Sequence, residues 1–98
     1  MNNRIIEIIK SGNNLLEGTE LACVNRALGD HQAWGGMYRI ASVEGIGQMA
    51  RYRLARFVRV RSGKMECQEL GRVFSGDELS EFFELDGRWQ RLHKAYMN

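Results

Sequence analysis

Proline is absent from this 98-residue chain, and cysteine and histidine occur only twice each. Punctuation therefore falls to eleven glycines, and no proline-rich linker divides the sequence. Cys23 and Cys67 are too few and too far apart to frame a disulfide scaffold or a zinc site. Both sit in apolar-periodic stretches and read as reduced, buried thiols. His31 and His93 are isolated, without the His/Cys/Asp spacing of a metal site, so neither metal nor cofactor is expected. Long hydrophobic runs are missing too. Nothing approaches the ~20 apolar residues of a membrane span, and the opening stretch is interrupted by Glu7 and too short for a signal peptide. The expectation is a cytoplasmic protein with no membrane partner.

What remains is ordinary in bulk and unusual in distribution. An apolar fraction of 44% and a charged fraction of 27% belong to a globular protein, and the length suits one domain over residues 1–98. Formal net charge is only +2, yet residues 39–64 carry +6 and residues 65–87 carry −6. The positive block centres on Arg51-Tyr-Arg-Leu-Ala-Arg-Phe-Val-Arg-Val-Arg61, where five arginines fall within eleven residues. Such a density of guanidinium groups asks for an anionic partner, inside the fold or outside it.

Periodicity gives the elements. Ile5, Ile6, Ile8 and Ile9 share one helix face, which predicts a helix near 3–10 stopped at Gly12. Thr19 is a candidate N-cap, and Leu21, Val24 and Leu28 predict a second helix over 19–28. Strands are expected at about 37–43, 51–61 and 65–74, with Ser62-Gly-Lys64 as a hairpin turn and Gly71 as a bulge. Ser75-Gly-Asp-Glu78 fits a capping box opening a helix over 76–86, with Gly87 past its end. Trp89, Leu92 and Tyr96 suggest a last helix over 88–96. The expected fold is a small α+β domain with a three-stranded antiparallel sheet.

Strict alternation in the arginine segment puts Tyr52, Leu54, Val58 and Val60 on one face and Arg51, Arg53, Arg59 and Arg61 on the other. Arg56 and Phe57 break it, through a bulge or because Phe57 covers a second small cluster. A helical reading competes, since Ala50, Leu54, Phe57 and Val58 also share a helix face. The cations have three readings. They pair with the molecule's own acids, among them Glu66 and Glu69 on the next strand and Glu84 and Asp86 at a helix end. They form a binding surface for phosphate or carboxylate. Or they are a solvated strand that deters edge aggregation.

Other features carry less chemistry. Gly45-Ile-Gly-Gln-Met-Ala50 has the G-x-G-x-x-A form of a dinucleotide loop, but no acid stands about twenty residues on and a plain glycine turn explains it. Trp34, in a glycine-flanked loop, either plugs the core or stands out as an interface anchor. Trp89, Tyr96 and Met97 allow the same pair of readings, with homodimerisation as one outlet. Asp77, Glu81 and Glu84 at helical spacing make a second candidate face, suited to a basic groove.

Gly36-Met-Tyr-Arg-Ile40, Arg51-Tyr-Arg-Leu54 and Gly63-Lys-Met-Glu66 resemble the sheet of RelE/ParE-type toxins, which implies a ribonuclease using basic sheet residues. In architecture the chain is similar to phage-encoded inhibitors such as anti-CRISPR proteins, which occlude a nucleic-acid channel or subunit surface. The leading expectation is a non-enzymatic protein that masks a protein or nucleoprotein partner. Arg51, Arg53, Arg56, Arg59 and Arg61 would supply charge, and Trp34 or Tyr52 the desolvated anchor. Direct nucleic-acid binding through the arginine strand is the further alternative.

Overall fold

The computed structural model describes residues 4–25, 27–28 and 36–86, and structural statements below concern these residues. The chain runs α1 (Arg4–Lys10), β1 (Glu20–Cys23), β2 (Met37–Glu44), a 3₁₀ turn (Gly47–Met49), β3 (Arg51–Arg59), β4 (Met65–Ser75), α2 (Gly76–Phe82) and β5 (Phe83–Leu85). The class is α+β. One antiparallel sheet has five strands in the order β4-β3-β2-β1-β5, where the sequence predicted three.

Two misreadings account for the extra strands. The helix expected over 19–28 gives way to a strand at Glu20–Cys23: β1 has neighbours on both sides, Leu21 opposing Tyr38 on β2 and Leu85 on β5. Leu21 and Ala22 are both buried, so the strand presents a continuous apolar run. Such a run is indistinguishable by spacing from a helix face. The helix expected over 76–86 ends at Phe82, because Phe83 turns extended (φ −133°, ψ 159°) and residues 83–85 pair with β1. The helix expected over 88–96 lies outside the described residues.

The capping box stands as expected: the Ser75 hydroxyl accepts from the Glu78 amide at 3.2 Å, and the Ser75 amide donates to Glu78 Oε1 at 3.0 Å. From there α2 carries the chain from the β4 edge to the opposite edge. It packs over a core that contains Ile5 and Ile9 of α1, Tyr52 and Leu54 of β3, and Phe74, Leu79, Phe82 and Phe83. Four aromatic rings meet edge to face there, Tyr38 and Phe83 at 4.9 Å between centroids and Phe74 and Phe83 at 5.7 Å.

The sheet is bent at two irregularities. β2 carries an extra residue between Ile40 and Ser42. β4 carries two between Glu69 and Val73, a stretch that includes Gly71. β3 is regular between them, so its side chains alternate without interruption. Its outward face holds a second, smaller cluster at one end, Met37, Phe57 and Met65 with Cys67 packed against it. This is why Phe57 broke the expected alternation: it belongs to a different core.

Candidate functional site

Alternation on β3 sorts the arginine run. Tyr52 and Leu54 point into the core beneath the helices, so Arg51 and Arg53, both exposed, face away from α2. The acidic helix is therefore not their partner. Nor is the next strand: Arg51 opposes Ser75, Arg53 opposes Val73, Arg56 opposes Gln68 and Arg59 opposes Met65, while Glu66 and Glu69 face Val58 and Ala55. Of the β2 residues opposite an arginine of this run, only Glu44, across from Arg51, is acidic. The Arg51 guanidinium donates to the Ala50 carbonyl at 3.2 Å. Arg53, Arg59 and Arg61 are exposed and join no ion pair among the described residues. For Arg53 and Arg59, the register sets no carboxylate directly across the strand.

Neither is the run a single ridge. Arg56 shares the helix-side parity of Tyr52 and Leu54, lies opposite Tyr38 and is half-buried. Ala55 and Phe57, which share the outward parity of Arg51 and Arg53, are buried. What remains is a pair, Arg51 and Arg53, at one end of β3, and a group made by Arg59, Arg61 and Lys64 at the other. A ribonuclease reading would bring Arg51, Arg53 and Arg56 together; β3 puts Arg56 on the opposite face.

Tyr52 is not a surface anchor. Its ring is fully buried, and its hydroxyl accepts from the Leu15 amide at 3.2 Å. Trp34 lies outside the described residues. The acidic ridge is broken as well. Asp77 and Glu81 are exposed on α2, whereas Glu84 is half-buried on β5 opposite Ala22.

The apolar anchors lie elsewhere. Leu16, Ile46 and Met49 are 74%, 80% and 75% exposed, unusual for side chains of this size in ordered loops. Asn14 pins their two loops together: its Nδ2 donates to the Gly45 carbonyl at 2.8 Å, and the Gly47 amide donates to its Oδ1 at 2.6 Å. Gly45 takes φ +85°, and a Cβ there would stand 3.0 Å from the Met49 carbonyl oxygen, so the turn requires glycine. Met49 overhangs a cleft of about 310 Å³ between α1, α2 and the 3₁₀ turn, lined by Ile6, Ile9, Lys10, Gln48, Asp77 and Ser80. Because this turn leads directly into β3, the anchors stand at the same end of the strand as Arg51 and Arg53. The sequence did carry a signal for them, a bulky isoleucine between two glycines in Gly45-Ile-Gly47, where a turn is otherwise made of small polar residues.

The turn also joins two antiparallel strands, not a strand and a helix as a dinucleotide loop would. No group of three or more His, Cys, Asp or Glu among the described residues could hold a metal ion. None of the described helices is long and apolar enough to cross a membrane. Comparison of the chain with family models, with curated proteins and with solved structures gives no match.

Proposed function

We propose that this chain is a small non-enzymatic binding protein of the cytosol that masks a surface of a protein partner, in the manner of phage-encoded inhibitors such as anti-CRISPR proteins. The observation that carries this reading is the loop end of β3, where Ile46 and Met49 stand out and Met49 overhangs the Ile6–Ser80 cleft, while exposed Arg51 and Arg53 lie at the same end of the strand on the sheet's other face. Large apolar side chains held on a pinned turn lose little freedom on binding, and their burial drives association. The arginines set orientation and on-rate more than affinity.

The test is a pull-down from cell lysate with the full chain, run beside Ile46→Asp/Met49→Asp and Arg51→Ala/Arg53→Ala. The expected result is a stoichiometric complex lost in the first double variant and slower to form in the second. Each side chain is exposed, so circular dichroism should show both variants folded. If the same protein is captured equally by the wild type and by Ile46→Asp/Met49→Asp, the reading is wrong.

A further inference from the structure

The opposite end of β3 is built differently. The β2–β3 pairing ends at Tyr38 and Arg56, whereas the β3–β4 pairing continues to Arg59 and Met65. Beyond Phe57 the described strands form a two-stranded ribbon, closed by the Val60 amide donating to the Lys64 carbonyl at 2.9 Å and the Gly63 amide to the Val60 carbonyl at 2.9 Å. Gly63 takes φ +84°, which tightens the turn. Arg59, Arg61 and Lys64 are all exposed around it, with their Cα atoms within roughly 10 Å of one another by strand geometry. The nearest carboxylate in sequence, Glu66, lies opposite Val58 and so on the other face of the ribbon from Arg59, the face that Lys64 shares. No exposed large hydrophobic side chain occurs between residues 57 and 67, in contrast to the loop end.

We infer that this ribbon tip is a phosphate-contacting site for the backbone of double-stranded nucleic acid. Three cations clustered on a narrow turn match a polyanion that carries one charge per ~1.7 Å of duplex axis. A two-stranded ribbon also has the width that a ~12 Å major groove admits. A duplex is favoured over a single strand because the described aromatic side chains are buried and offer no base a stacking surface. A protein partner would call for an apolar anchor, and the tip has none. The site stands about 26 Å along β3 from Arg51, so it acts independently of the masking surface.

The experiment is fluorescence anisotropy of a labelled mixed-sequence duplex of about 20 base pairs with the full chain, from about 50 to 200 mM salt. Three phosphate contacts give a slope of log K against log salt of about −2.7, a loss of roughly 40-fold over that range. Arg59→Ala/Arg61→Ala/Lys64→Ala should weaken binding at least tenfold and flatten the slope by about 2.7. Arg59→Lys/Arg61→Lys should keep the slope. Ile46→Asp/Met49→Asp and Arg51→Ala/Arg53→Ala should leave both unchanged, which separates this site from the masking surface. Absence of binding at the lowest salt would overturn the inference, as would an unchanged slope in the triple variant or an equal loss in Arg51→Ala/Arg53→Ala. Displacement by poly-glutamate at charge concentrations equal to the duplex would also overturn it, reassigning the tip to an acidic protein surface.

Discussion

Tyr52 shows how one side chain can be read correctly for burial and wrongly for role. The alternation placed it with Leu54 on the inward face, yet its position among arginines made it an attractive anchor. Its hydroxyl instead takes up the amide of Leu15, a buried donor from a loop 37 residues distant. Tyr52→Phe should therefore cost about 1–3 kcal/mol, measured by urea unfolding, because it leaves that amide without an acceptor. Glu78 is the other residue whose chemistry is specific. The Ser75 amide hydrogen bond, followed by that from Arg72 at 2.6 Å, holds its carboxyl below the ordinary value of 4.5. Arg72 is held in place over the Phe74 ring, 4.5 Å from its centroid. A carboxyl whose pKa falls on folding adds stability above its unfolded pKa, and that stability is lost as pH drops through the folded value. The melting-temperature advantage of the wild type over Glu78→Gln should be full near neutral pH and be lost as pH falls through the lowered value, beneath the ordinary carboxyl range. An advantage that persists at about pH 2 would mean the carboxylate is not the source.

At the level of elements, the legible parts were those with local signals. The capping box named the start of α2 because Ser75 and Glu78 satisfy each other's backbone within four residues, and Ser62-Gly63 named the β3–β4 turn. What could not be read was non-local. β1 is a strand only because β2 and β5 flank it, and its Leu21, Val24, Leu28 spacing matches a helix; Val24 is in fact half exposed. Phe83 continues the apolar stripe of α2 but leaves the helix, its ring packing against Tyr38 while its backbone joins β1. The clamp between the loop before β1 and the β2–β3 turn was likewise invisible, since Asn14 and Gly45 are 31 residues apart. Asn14→Ala removes both of its bonds and should lower stability by about 1–2 kcal/mol. It should also weaken the masking complex, in a titration, more than Val24→Ala, a change at an exposed side chain outside these loops. Equal effects on stability and binding from Val24→Ala would show that the clamp does not organise the anchors.

Across the whole molecule, composition indicated the class and the charge blocks indicated where to look, but not what the blocks do. The +6 and −6 segments cancel in number, yet Arg51 and Arg53 turn away from α2, and the register sets Glu66 and Glu69 opposite neutral residues. A linear count cannot see that alternation and a buried middle split one arginine run into two surfaces. The same middle has a kinetic consequence. β3 is held from one side at Tyr52 and Leu54 by the large core and from the other at Phe57 by only three or four side chains. Opening the small cluster exposes far less apolar surface than opening the large one, so the strand should come apart in stages from the ribbon end. In hydrogen–deuterium exchange, the Val60 amide should exchange through local opening, insensitive to small amounts of denaturant. Amides paired around Leu54 should exchange only through global unfolding, and uniform protection along β3 would show instead a single cooperative unit. A strand that frays at its cationic end could shape itself to a curved polyanion while its other end stays rigid.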